Sequence, residues 1–95
     1  MKFEWDDNKE QINIRKHGID FNTAAYVFDD FYHIEIFDEA HSESEDRFIA
    51  IGMVDDIAVI IAVIYTERGE IIRIISARKA TRREKEVYYD SSKRY

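Results

Sequence analysis

The run of apolar residues at positions 57–65 constrains the fold more than any other stretch of the chain. It is rich in β-branched side chains and too short to cross a bilayer, so it predicts a central strand covered on both faces. Residues 66–70 are polar and contain Gly69, which predicts a tight reversal into a second strand at 71–77. An apolar hairpin is therefore predicted at the centre of the fold.

Two arginines lie in or next to the second strand of this hairpin. Arg73 lies within the second strand and Arg78 directly follows it. Because side chains alternate between the faces of a strand, this odd-numbered separation predicts opposite faces for the two arginines if the strand runs that far. A strand with a purely structural role has little use for these cations, so a function has to account for them.

The charge of the chain is divided unevenly along its length. The net charge of −6 argues at first sight against nucleic acid, but residues 1–56 carry −10 and residues 57–95 carry +4. This asymmetry predicts an acidic and a basic surface with different partners. The alternative is that folding interleaves the two parts and leaves no basic face.

Length and composition predict one globular domain over residues 1–95, of which 45% are apolar. The absence of cysteine excludes disulfides and a thiol nucleophile, and it fits a reducing cytoplasm. No signal-peptide pattern opens the sequence. We therefore expect a cytoplasmic protein that does not associate with membranes.

The N-terminal part predicts a strand at 2–5 and two helices. The first helix spans 7–17, with Asp6 or Asp7 as its N-cap and Gly18 at its end. Along it, a polar stripe at helical spacing is formed by Lys9, Asn13 and His17. The second helix begins near Asp20, and its buried face is predicted to consist of Phe21, Ala24, Ala25 and Phe28.

Two more strands and a last helix complete the pattern. Residues 32–37 and 47–54 predict strands, joined by an acidic connection at 38–46, and Asp55-Asp56 turns the second into the central hairpin. Thr81 and Glu84 form a capping box that opens a helix to about Asp90. The order predicts an α+β two-layer domain, an antiparallel β-meander with two N-terminal helices and one C-terminal helix.

The acidic connection contains side chains that could be taken for a metal site, namely Asp38, His41, Glu43 and Glu45. Their spacing matches no ligand motif, and acidic loops are usually solvated. We therefore expect no metal and no other cofactor.

Short segments along almost the whole chain resemble the family of BrnT toxins. In order they are Phe3-Glu4-Trp5-Asp6, Asn13, Lys16-His17-Gly18, Phe21, Ala24, Val27-Phe28, Asp38, His41, Glu45, Arg47-Phe48, Gly52, Arg68, residues 73–80, Glu84 and Tyr88. The resemblance implies a RelE-like fold and a type II toxin that cleaves RNA and inhibits translation. It also implies an antitoxin of the BrnA type, whose ribbon-helix-helix part binds operator DNA, so that the toxin reaches DNA only through its partner.

RNA cleavage without a metal requires cations around the phosphate, and arginine suits this because its planar fork binds phosphate through two hydrogen bonds. The predicted phosphate ligands are Arg68 at the hairpin tip, and Arg78 and Lys79 before the last helix. Further candidates for RNA binding are Arg47, Arg73, Arg82 and Arg83, with the cations near Tyr95. Arg47 could equally pair with Glu45 or Asp46, and Arg73 could be a structural ion-pair residue.

The candidates for proton transfer are His17, Glu84 and Tyr88. Each has a structural alternative. His17 could simply cap the helix dipole, Glu84 could close its capping box, and Tyr88 could stack, donate a hydrogen bond or pack.

Three classes of function remain open at this point. The first is an endoribonuclease toxin. The second is a non-catalytic module whose basic face accepts an acidic partner segment and serves in transcriptional repression. The third is an interaction domain that pairs through an edge strand. The nuclease hypothesis requires that folding gather the cations on one concave surface beside His17.

Overall fold

The computed structural model describes residues 1–55 and 57–92. Its elements are β1 (Lys2–Glu4), α1 (Asp7–His17), α2 (Phe21–Ala25), β2 (Ile34–Phe37), β3 (Phe48–Val54), β4 (Val59–Arg68), β5 (Ile71–Lys79) and α3 (Arg82–Ser92). Two 3₁₀ turns complete the described chain, Tyr26–Asp29 after α2 and Glu39–His41 after β2. Every predicted helix and strand is present, and the predictions for Asp56 and for residues 93–95 lie outside the described residues.

The ends of α1 follow the predicted signals. The Asp6 carboxylate accepts a hydrogen bond from the Lys9 N–H at 2.9 Å, so Asp6 and not Asp7 is the N-cap. Gly18 adopts φ 71°, and its N–H donates to the Ile14 carbonyl at 2.8 Å.

The central hairpin is longer than predicted on the side of its turn. Strand β4 begins at Val59 and continues to Arg68, so Thr66 belongs to the strand and not to the turn. The cause is pairing with β5, in which Thr66 lies opposite Arg73 and Arg68 opposite Ile71. Gly69 and Glu70 form the turn between the two strands, with Gly69 at φ 63°.

The strand order is β1-β5-β4-β3-β2. The four consecutive strands β2 to β5 form the predicted antiparallel meander. Strand β1 pairs with β5 in parallel, so the sheet is mixed. Parallel pairing requires a long connection between the two strands, and the chain from α1 to β4 supplies one.

The helices lie on both faces of the sheet, and the predicted two-layer arrangement is therefore wrong for α3. One face packs against α2 and the 3₁₀ turn that follows it, through Phe21, Ala24 and Val27, all fully buried. The other face, which we call the open face, is covered only at one end, where Tyr88 of α3 packs with Ile51, Ile60 and Ala62.

Asn13 joins α1 to the part of β5 that β1 does not reach. Its amide donates to the carbonyls of Ile19 and Ala77, both at 2.9 Å, and accepts from the Ala77 N–H at 3.0 Å. The side chain is buried, whereas Lys9 and His17 at the two ends of the predicted polar stripe are exposed. Asn13 thus supplies the hydrogen bonds that a further strand would make.

Candidate functional site

A β-bulge decides which side chains share the open face. The pairing of β4 with β5 shifts between Ile64 and Tyr65, which lie opposite Ser76 and Ile74, so that Ile75 is the extra residue. The extra residue reverses the alternation of β5. Consequently Arg73 and Arg78 lie on the same face, and the prediction of opposite faces is wrong.

The open face presents four arginines, Arg47, Arg68, Arg73 and Arg78. Arg78 lies opposite Ala62 and Arg73 opposite Thr66, and both partners alternate with residues that face α2. By the same alternation Arg68 follows Thr66 on this face. The arginines of the sheet therefore share one face, but of the described C-terminal cations expected on one concave surface only Arg78 lines a groove there.

Two of these arginines line a groove across the open face, which we call the arginine groove. Its floor is a row of residues in register on three strands, Ile49, Ile64 and Ser76. The volume is about 290 Å³, and the complete lining consists of Asp38, His41, Arg47, Ile49, Ile64, Ile75, Ser76 and Arg78. The groove combines two isoleucines in its floor with two guanidinium groups and one carboxylate, that of Asp38. Apolar side chains beside guanidinium groups suit a nucleotide's apolar and anionic parts.

Arg78 is held by Glu84. Its two terminal nitrogens donate to the two carboxylate oxygens at 2.7 and 3.1 Å. The capping box is confirmed, because Glu84 also accepts from the Thr81 N–H at 2.8 Å and donates its own N–H to the Thr81 hydroxyl at 3.1 Å. The hydrogen bond from Arg78 keeps the pKa of Glu84 below its usual range, and the same bond raises the pKa of Arg78. Glu84 is thus a bound carboxylate, poorly suited to proton transfer.

Arg68 and Arg73 lie outside the groove and pair with other carboxylates. The Arg68 Nε lies 3.3 Å from Glu45, and Arg73 pairs with Glu4 of β1. Since β4 rises about 3.3 Å per residue, Arg68 stands about 20 Å along the hairpin from Arg78. The structure therefore does not bring these two predicted phosphate ligands together.

Arg47 makes no ion pair within residues 1–55 and 57–92, so its charge is available in the groove. From the sequence, Arg47 could have formed an ion pair with Glu45 or Asp46, but Glu45 pairs with Arg68. The backbone of Arg47 is fixed by the connection before it, since its N–H donates to Ser42 Oγ at 2.9 Å and its carbonyl accepts from the Asp38 N–H at 2.8 Å.

His41 and Asp38 form a pair that sequence reasoning missed. The His41 Nδ1 lies 3.0 and 3.1 Å from the two carboxylate oxygens of Asp38. The His41 side chain is 68% exposed and that of Asp38 only 15%. The sequence feature that could have predicted this pair is the three-residue spacing, because one helical turn brings such residues into contact. Among the described residues, no group of three or more acidic or histidine side chains converges as a metal site.

His17 lies in a second groove, of about 360 Å³, formed by α1 and β5. Its lining includes Lys9, Lys16 and the bulge residues Ile75 and Ser76, which also line the arginine groove. The two grooves therefore adjoin at the bulge. His17 is therefore beside the arginine groove but does not line it.

Tyr88 has a structural position. It is 5% exposed, and its hydroxyl donates to Asp30 at 2.5 Å. Burial and this hydrogen bond raise the pKa of Tyr88 above its usual range. A buried phenol that holds its proton and already donates it to a carboxylate is a poor acid or base.

The remaining predicted RNA ligands do not line the groove. Lys79 lies opposite Ile61 of the buried core, so its register assigns it to the face away from the arginines. Arg82 and Arg83 are exposed in the first turn of α3, where Arg82 lies 3.7 Å from Glu86.

These features define a small α+β domain with an arginine-flanked groove on one open sheet face. Residues 5–84 match the family described as the ribonuclease toxin BrnT of type II toxin–antitoxin systems. The match covers most of the chain, which therefore belongs to this family of ribonuclease toxins. Membership implies RNA as the class of substrate and an antitoxin as partner. No curated protein shows a significant match to the chain.

No helix within residues 1–55 and 57–92 combines the length and apolar character needed to span a bilayer.

Proposed function

We propose that the protein is a cytoplasmic endoribonuclease that inhibits translation by cutting RNA without a metal, through attack of a 2′-hydroxyl on the adjacent phosphate. The observation that carries the proposal is the pair of arginines lining one groove of the open face, where Arg47 forms no ion pair with any described carboxylate. The family description supports ribonuclease activity in general, and the RelE-like assignment of the fold rests on the family likeness alone.

The groove suits a transition state that gains negative charge. A pentacoordinate phosphate spreads charge over oxygens that a guanidinium can hold through two parallel hydrogen bonds. Removing one preorganised donor of this kind typically costs about 10²–10³ in rate. Arg78 must exchange part of its bond to Glu84 for phosphate, whereas Arg47 has no such competitor among the described carboxylates.

The test is cleavage of single-stranded RNA by purified protein with and without EDTA. We expect cleavage that survives EDTA and falls about 10²–10³-fold in Arg47→Ala. Arg78→Ala is expected to lose activity as well, together with some stability, because it leaves Glu84 without its partner. Arg15→Ala, an exposed arginine of α1, is the matched control and is expected to retain activity. Cleavage that EDTA abolishes would contradict the metal-free mechanism.

We further propose that a BrnA-type antitoxin neutralises the toxin, and that operator DNA is contacted only through this partner. A second candidate function, a non-catalytic module in transcriptional autorepression, is favoured by one observation. Three arginines of the open face already bind carboxylates, those of Glu45, Glu4 and Glu84. A surface that binds its own carboxylates can accept an acidic segment of a partner. Stable binding of the antitoxin without any growth arrest by the toxin alone would favour this second function.

A further inference from the structure

The pair formed by His41 and Asp38 lines the arginine groove together with Arg47 and Arg78. His41 lines the arginine groove and also an adjoining pocket of about 260 Å³, and Arg47 lines both. The imidazole is therefore next to the one groove arginine whose charge no described carboxylate neutralises. A phosphate bound by Arg47 would have His41 beside it.

The two ring nitrogens of His41 differ in their hydrogen-bond partners. Nδ1 contacts both oxygens of Asp38, at 3.0 and 3.1 Å. Nε2 makes no hydrogen bond to any described residue. When Nδ1 carries the proton and donates it to the carboxylate, Nε2 has a free lone pair, which is the tautomer that a general base requires.

Asp38 is less exposed than the ring, and its backbone is fixed by hydrogen bonds. The Asp38 side chain is 15% exposed, and its backbone is tied to Arg47 and to Ser42, whose hydroxyl donates to the Asp38 carbonyl at 2.6 Å. The exposed imidazole therefore contacts a residue whose backbone is fixed. Ser42 also accepts a hydrogen bond from the Arg47 N–H, so the backbones of Asp38 and Arg47 are held by the same hydrogen bonds.

We propose that His41 is the general base of the cleavage reaction and that Asp38 is a positioning residue that fixes its tautomer and orientation. The assignment rests on the proposed ribonuclease function. His41 Nε2 takes the proton of the 2′-hydroxyl, the 2′-oxygen bonds to phosphorus, and the bond from phosphorus to the 5′-oxygen breaks. The 5′-oxygen takes a proton from water, so the products are a 2′,3′-cyclic phosphate and a 5′-hydroxyl.

The other proton-transfer candidates are less well placed. Glu84 is bound through both oxygens by Arg78, and Tyr88 is buried against Asp30. His17 lies in the neighbouring groove.

The experiment compares wild type with His41→Ala, Asp38→Asn and His17→Ala on a single-stranded RNA substrate, with and without added imidazole. We expect His41→Ala to lose about 10²–10⁴-fold in rate, the range for general acid–base catalysis. Added imidazole should restore part of that loss, which a purely structural role would not permit. Asp38→Asn should lose activity that imidazole does not restore, because His41 still occupies the site. His33→Gln, a histidine bonded to Glu35 outside the groove, is the matched control and should leave the rate unchanged.

The outcomes separate the two proposals. Wild-type cleavage with an active His41→Ala variant would overturn the assignment of His41 and leave the ribonuclease standing. Loss and imidazole rescue in His17→Ala, with no rescue in His41→Ala, would move the base to His17. RNA left intact by folded wild type would overturn the ribonuclease function itself. Thermal melting of each variant separates lost activity from unfolding. Because the His41 side chain is 68% exposed, we expect His41→Ala to melt close to the wild-type temperature.

Discussion

At the scale of single residues, the Asp30 carboxylate joins three separate parts of the chain. One carboxylate oxygen accepts from the Tyr88 hydroxyl at 2.5 Å and from the Met53 N–H at 2.8 Å, and the other accepts from the Tyr32 N–H at 3.0 Å. Helix α3, strand β3 and the segment before β2 therefore meet at one side chain. The position of α3 on the open face depends on this contact as well as on the packing of Tyr88.

The pKa of Asp30 makes this contact dependent on pH. Burial raises the pKa of the carboxyl, but the hydrogen bonds from Met53, Tyr88 and Tyr32 and the charge of His33 together outweigh burial and leave it below its ordinary value of 3.8. A group whose pKa is lowered by folding contributes stability above its unfolded-state pKa, and that stability is lost as the pH falls through the folded-state value.

Asp30→Asn should therefore lower the free energy of unfolding by about 1.5–3 kcal/mol at pH 7. The difference between wild type and variant should shrink as the pH is lowered below 4, because the wild-type carboxyl then takes up its proton. Urea denaturation followed by circular dichroism at several pH values measures both quantities. A difference that stays constant down to pH 2 would show that the charge of Asp30 contributes nothing.

At the scale of secondary-structure elements, helices and strands were predictable because each has a local signal. The capping box of Thr81 and Glu84, the αL glycine after α1 and the apolar runs of β3 and β4 depend on neighbouring residues only. The bulge at Ile75 depends instead on how β4 and β5 fit each other, and nothing in the run 71–77 marks it. This one extra residue decides which face Arg78 occupies, so the candidate site was less predictable than the elements that form it.

The same limit applies to the pairing of strand β1 and to the pairing of charges. The sequence of the short strand β1 does not indicate that it pairs in parallel with β5, because parallel partners are separated by long connections and share no local pattern. Likewise the chain contains more acidic than basic residues, and only the folded structure shows that Glu45 pairs with Arg68 rather than with Arg47.

Asn13 provides a test of how α1 and β5 are joined. Asn13→Ala removes three hydrogen bonds and leaves the N–H and carbonyl of Ala77 unpaired in a buried position. We expect a loss of about 2–4 kcal/mol in the free energy of unfolding, since unsatisfied buried groups cost more than the bonds themselves contribute. Hydrogen exchange should show faster exchange at the Ala77 amide. Asn8→Ala on the exposed side of α1 is the control, and equal stability of the two variants would contradict this role.

At the scale of the whole molecule, a net charge of −6 coexists with a groove flanked by arginines. An acidic protein repels RNA at long range, and at 0.1 M salt this repulsion is screened beyond about 10 Å. Attraction must therefore come from the few phosphates that reach the groove. The four open-face arginines do not act as one basic patch, because three of them are paired with carboxylates.

RNA binding by this protein should consequently depend only weakly on salt. Each phosphate neutralised in a single strand contributes about −0.7 to the slope of log affinity against log salt, so contacts by Arg47 and Arg78 alone predict a slope of about −1.4. Arg47→Ala should reduce the slope to about −0.7, and Arg15→Ala should leave it unchanged. Binding of a short labelled RNA, measured by fluorescence anisotropy over a series of salt concentrations, gives these slopes directly. A wild-type slope of about −4 or steeper would require a wider basic surface than the arginine groove, and the groove would then not be the principal site of RNA binding.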